Sequence, residues 1–148
     1  MLDVTRGGIP IWSPDALRVG LASDEEAWCA KLASWCYLQT LRPGDTPIVG
    51  CRVSVAELIA DARRAGAWHD VDSLTQHAPP VGSLWCWRRA GGDPRRGGTG
   101  HVAVQVGEFE FDMVSGRADC VGGNEQDAAC LTSRRRDHAD LVGWISLA

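Results

Sequence analysis

The hydrophobic period of this chain changes once, near residue 80, and that change limits the fold more than any other feature. Before it, apolar residues recur at helical spacing. Ser54 and Glu57 form a capping box, Val55, Leu58, Ile59 and Ala62 make one stripe, and Gly66 is placed to end the helix. After Pro79 and Pro80 come short β-type runs: "SLWCW" (83–87), "HVAVQV" (101–106), "FEFDMV" (109–114), "ADCV" (118–121), "ACLTS" (129–133) and "VGWISL" (142–147). Gly, Asp and Asn separate them, as turn residues do. Helices first and a strand meander second predict an α+β domain, with the N-terminal helices packed on one antiparallel sheet.

A second helix is expected upstream. "SDEE" (23–26) has capping-box spacing from Ser23 to Glu26. Trp28, Leu32 and Trp35 then fall at i, i+4 and i+7, and Cys29, Ala33 and Cys36 repeat that spacing one step round. This helix should end near Leu38. Residues 1–22, with scattered Pro and Gly, read as an irregular lead-in in which Trp12 packs on the domain, and "RPGDTPIVG" (42–50) reads as a loop. A chain of 148 residues is sized for a single domain with its own core, so residues 1–148 are taken as one unit.

Charge narrows the function classes. With 15 basic and 19 acidic residues the net charge is −4, which provides no broad field for nucleic acid or an anionic membrane. Lys31 is the only lysine; the arginine clusters "RRAGGDPRR" (88–96) and "SRRRDH" (133–138) are local and read as solvated loops. The six cysteines include no C-x-x-C and no paired Cys/His knuckle, which argues against a zinc site, and nothing else asks for a cofactor. The N-terminal "MLDVTRGGIPIWSPD" lacks a basic-then-apolar signal pattern, and no apolar run reaches membrane-spanning length. The expectation is synthesis in the cytoplasm without a cleavable leader, as a monomer.

The chemistry-bearing candidates are a cysteine and a histidine. Cys29 lies near a helix start, where a thiolate is favoured, and a thiol nucleophile also needs an imidazole held within reach. Of the four histidines, His77 and His138 sit in polar connections, while His69 follows the second helix and heads no regular element, although it could wall a cleft. His101 opens a strand directly after "GGTG", whose glycines should leave room beside its ring. Spacing alone leaves the bland readings open: a small cysteine in a core, a structural histidine.

Four motifs in register change the weighing. "WCAKLASWC" (28–36), "PPVGSLWCWRR" (79–89), "GHVAVQV" (100–106) and "VGGNEQDAACL" (121–131) resemble, in order, the motifs of bacterial and phage cell-wall hydrolases of the papain-like NlpC and CHAP kind. "SVAELIADARRAGAWH" (54–69) is similar to the intervening helix of phage-associated members. The resemblance implies a peptidoglycan amidase or endopeptidase, either a phage endolysin or an injected effector, acting in the periplasm or cell wall. Carried over residue by residue, it makes Cys29 the nucleophile, His101 the general base and Asn124 the group orienting the imidazole, with Glu125 as the alternative orienter. Trp28 would wall the cleft, and Trp35 and Cys36 would be core. An effector would also bring an immunity partner. Three positions depart from the pattern: Ser83 stands where aspartate is usual, Ala103 where glycine is common, and Glu125 where glutamine is frequent. The resemblance places the cysteine in the first helical turn, which conflicts with a cap at Ser23 and makes "SDEE" an irregular approach. Two other readings use the same residues: a toxin that cleaves or deamidates a host protein, and a catalytically dead binding or tail-structural module. Finally, Cys120 and Cys130 flank "VGGNEQDAA", which reads as the tip of a hairpin, either as two separate core residues or as a bridged pair.

Overall fold

The computed structural model describes residues 29–72, 77–111, 115–125 and 128–147, with backbone alone at 124, 125 and 128–130. The expected cap at Ser23–Glu26, the lead-in with Trp12, and Trp28 lie outside the described residues. Within them the chain is α+β. Two helices, α1 (Cys29–Leu38) and α2 (Val55–Arg64), precede all seven strands of one antiparallel sheet. These are β1 (Trp68–Asp70), β2 (Leu84–Arg88), β3 (Gly100–Gln105), β4 (Glu110–Phe111), β5 (Gly116–Glu125), β6 (Ala128–Arg135) and β7 (Leu141–Ile145). Their order is β1-β7-β2-β3-β5, with β4 sharing the β3 side of β5 and β6 on its other side.

α2 forms as its sequence dictates. The Ser54 hydroxyl accepts the Glu57 N–H at 3.1 Å, and Gly66, at φ 70°, closes the far end. There the Ala67 N–H reaches Ala62 O at 2.8 Å and the Gly66 N–H reaches Arg63 O at 3.2 Å, a Schellman closure that satisfies the last carbonyls. The apolar stripe Val55, Leu58, Ile59 and Ala62 is buried against the sheet.

α1 ends at Leu38, as its period predicts, and Cys29, Leu32 and Ala33 are buried on the expected spacing. Cys29, Ala30, Ala33 and Tyr37 join the core, whereas Trp35 and Cys36 are only half-buried on the flank and do not belong to it. Small residues let the helix backbone approach the sheet closely, which turns the bulky Trp35 outward. Two polar ties fix this approach. Buried Ser34 donates to Ala30 O at 2.7 Å and accepts the Arg52 N–H at 3.1 Å. Buried Asp61 of α2 accepts the Gly50 N–H at 2.9 Å and the Arg52 guanidinium through both carboxylate oxygens, at 2.8 and 3.0 Å. The Arg52 guanidinium beside it holds the Asp61 carboxyl below the ordinary carboxylate range, against the opposing effect of burial.

Both faces of the sheet are buried. On the helix side Leu84, Cys86, Val102, Val142 and Ile145 meet α1 and α2. On the other side Trp85, Trp87, Ala103, Phe109, Ala118, Cys120, Leu141 and Trp144 form a second apolar cluster. Gln105 is the polar exception there: fully buried, it accepts the Trp85 indole N–H at 2.8 Å and donates to Pro79 O and Gly107 O at 3.0 and 2.9 Å. Ser83, where the resemblance expected aspartate, is also buried, and its hydroxyl closes the preceding turn on Pro80 O at 2.7 Å.

Two further expectations need correction, and the register bears on a third. His69 does belong to a regular element, since it pairs with Trp144 in the β1–β7 ladder and stacks on that indole with centroids 4.1 Å apart. The basic run 133–138 is strand as far as Arg135, because β6 extends to match the length of β5. Cys120 stands opposite Thr132 and Cys130 opposite Gly122, so the two cysteines are diagonal rather than directly across, and Cys120 is a free thiol. No helix among the described residues is long and apolar enough to cross a membrane.

Candidate active site

β3 carries His101 at its start, paired with Trp87 of β2. The two rings lie 5.7 Å apart, tilted by 35°. His101 is buried at 8% exposure, so the sheet and its neighbours leave the imidazole little freedom. The glycines before it act differently from the expected spacing of an open cleft. A side chain at Gly100 would meet the Pro94 ring at 2.7 Å and Trp87 O at 2.9 Å. Glycine there lets the short 3-10 turn Pro94–Arg96 press against the strand; the room is already filled.

α1 brings Cys29 to the same place from the other side of the chain. Cys29 is the first described residue of α1 and is buried. The thiol and the His101 side chain are hydrogen-bonded, and the Val102 N–H also donates to the sulfur. Burial acts strongly to raise the thiol pKa. The His101 hydrogen bond and charge, the Val102 N–H and the smaller effect of the Arg89 charge together outweigh it, and Cys29 ends below the ordinary thiol value. The other buried cysteines move oppositely: burial pushes Cys36 up to about 11 and Cys120 up to about 12. Cys86, adjacent on β2, is raised further by burial and by the charge of Cys29. Of these four thiols, Cys29 alone is biased toward thiolate.

The remaining candidates separate. Asn124 and Glu125 occupy the last two positions of β5, beyond the register that pairs Ala103 with Gly122. His69 is not gathered to the pair, because β7 and β2 lie between β1 and β3. His77 and His138 are exposed, as their polar surroundings suggested. Among the described residues, no group of three or more His, Cys, Asp or Glu is placed to hold a metal ion. Sequence reasoning missed two contributors, Trp87 and Arg89. The signal was available in the alternation of "WCWRR": once Trp87 faces His101, Arg89 falls on the same side of the strand two positions on.

Comparison with protein-family models, with curated proteins and with solved structures finds no match for this chain. The functional reading therefore rests on the motifs and on this geometry.

Proposed function

We propose that the chain is a cysteine hydrolase of the papain-like NlpC/CHAP kind, cutting an amide bond of peptidoglycan. The observation that carries this is the hydrogen-bonded Cys29–His101 pair, in which a buried thiol is nonetheless biased toward thiolate. A helix-borne cysteine facing a strand-borne histidine is the arrangement thiol acyl transfer needs. Cys29 attacks the amide carbonyl, and its own backbone N–H helps hold the resulting oxyanion. Protonated His101 delivers its proton to the leaving amine, which departs as the thioester forms. Water, deprotonated by the now neutral His101, then hydrolyses the thioester and regenerates the thiol. Asn124 is favoured over Glu125 as the imidazole-orienting group. The preference rests on the motif resemblance, since the observed β3–β5 pairing ends at Ala103–Gly122 and β5 is irregular between Gly122 and Glu125.

Digestion of purified cell wall, with mass spectrometry of the released muropeptides, tests the proposal and names the bond. New amine and carboxyl ends from the wild type, absent with Cys29→Ala, are expected. Location provides a second test. Expressed in the cytosol of a Gram-negative host the chain should be tolerated; given a secretion leader it should lyse the cells, and Cys29→Ala should not. Killing from the cytosol without lysis would point to a protein target instead.

A further inference from the structure

The strand end beside the candidate nucleophile carries Arg89, a cation with no ion pair among the described residues. Its neighbours Arg88 and Arg95 in the same hairpin, and Arg63 on α2, have partners. Arg88 pairs with Asp93 at 3.6 Å, and Arg95 pairs with Asp93 at 2.9 Å and Asp70 at 3.0 Å. Arg63 reaches Arg95 O at 2.8 Å. Arg89, half-buried, has no ion pair or side-chain hydrogen bond among the described residues.

Its backbone is nevertheless well fixed. The β2–β3 ladder pairs Trp87 with His101 and Arg88 with Gly100, and the Arg89 N–H continues it by donating to Thr99 O at 3.3 Å. Thr99 returns a hydroxyl hydrogen bond to Arg89 O. Side chains alternate along a strand, so Arg89 shares the face of Trp87 and lies diagonal to His101, a separation of about 7–8 Å that an arginine easily spans. Its charge is also felt at the Cys29 sulfur. A thiolate beside an imidazolium is neutral as a pair. Among the described side chains Arg89 therefore adds one positive charge to that neutral pair, on a planar donor fork that suits a carboxylate.

We infer that Arg89 is a specificity residue of the Cys29–His101 site, holding a substrate carboxylate that flanks the scissile amide. The inference rests on the thiol hydrolase reading for its substrate, but the anion site itself is testable without any peptidoglycan. Iodoacetate and iodoacetamide alkylate the same thiolate and differ in charge, so their rate ratio cancels the thiol pKa and reports local attraction for an anion. Mass spectrometry follows Cys29, with the exposed Cys51 as internal reference.

In the wild type the iodoacetate-to-iodoacetamide ratio at Cys29 should exceed that at Cys51 by roughly 3- to 10-fold, falling as salt is added. Arg89→Gln should bring the ratio down to the Cys51 value, and Arg89→Lys should keep most of it, with circular dichroism showing both variants folded. A wild-type ratio no higher than that of Cys51, or a raised ratio unmoved by Arg89→Gln, overturns the inference.

The second arm uses two synthetic amide substrates, one with a carboxylate beside the scissile bond and one with the corresponding carboxamide. The wild type should prefer the carboxylate through KM, and Arg89→Gln should abolish the preference. An enzyme that cuts both equally keeps the hydrolase reading and loses the carboxylate assignment. A biased alkylation ratio without cleavage of any wall peptide keeps the anion site and removes the hydrolase reading.

Discussion

Trp87 stands directly across the β2–β3 ladder from His101, the rings 5.7 Å apart, while the Arg134 guanidinium lies over the same indole at 5.1 Å. The indole thus packs beside the buried imidazole. Trp87→Phe should fold and lower kcat by roughly 3- to 10-fold with little change in KM, since a looser ring spends less time aligned with the sulfur. Trp87→Ala should cost about 3–5 kcal/mol in urea unfolding, because it empties a buried aromatic site. Unchanged kcat in Trp87→Phe would show that Cys29 and the strand position His101 without it.

Alkylation against pH reads the thiol directly. Because the folded Cys29 pKa is lowered, its iodoacetamide rate should rise and level off at lower pH than that of exposed Cys51. His101→Ala removes the main stabilising partner and should shift that rise upward in pH. Cys36, held up at about 11, should react slowly throughout the neutral range. Peptide mapping that finds Cys51 half-modified at lower pH than Cys29 would contradict the assignment.

Cys36→Ala should leave activity intact. Its side chain is half-buried beside the core, so the loss should be about 0.5–1.5 kcal/mol, near the low end for a truncated side chain. An inactive but fully folded Cys36→Ala, paired with an active Cys29→Ala, would reverse the two roles.

The proposed orienting group is tested by ranking. Asn124→Ala should lower kcat about 10²- to 10⁴-fold with KM little changed, because a fixed imidazole matters chiefly in the transition state. Glu125→Ala should do much less. Steady-state kinetics on one purified wall peptide suffices, and the opposite ranking transfers the role to Glu125.

Asp61 supplies the acid-side prediction. Its folded pKa lies below the unfolded value of about 3.9, so its contribution is fully present above that pH and fades as pH falls through the folded pKa. Asp61→Asn should flatten that part of the urea-midpoint profile. It should also cost about 2–3 kcal/mol at neutral pH, since Arg52 and the Gly50 N–H lose a charged acceptor. A wild-type midpoint that stays constant between pH 5 and about 2.5 would rule out this role.

What was legible in the sequence follows from what local patterns encode. α2 was readable because Ser54, Glu57 and Gly66 are punctuation that acts within a few residues. The β runs were readable from their alternation, but β1 was not. Three residues following a helix cap carry too little pattern, and Trp68–Asp70 becomes a strand only because the edge of β7 offers a partner. The face of α1 was misread at Trp35, since size suggested core while the tight approach through Ala30 and Ala33 decided otherwise. Pairings between distant elements leave no local trace. Only motif order links Cys29 to His101 in the sequence, and no local pattern distinguishes Arg89 from the arginines beside it.

The fully bonded Gln105 has a bearing on how the chain can go wrong. β3 carries His101 near one end and Gln105 at the other, so a slip of one residue against β2 turns both to the opposite face. That slip would strand the Trp85 indole N–H and two carbonyls in a dry interior at the moment it takes the imidazole from the sulfur. The misregistered sheet is therefore disfavoured by several buried polar groups at once, and what would have been a stable but inert isomer is instead an unstable one, exposed to proteolysis before it can accumulate.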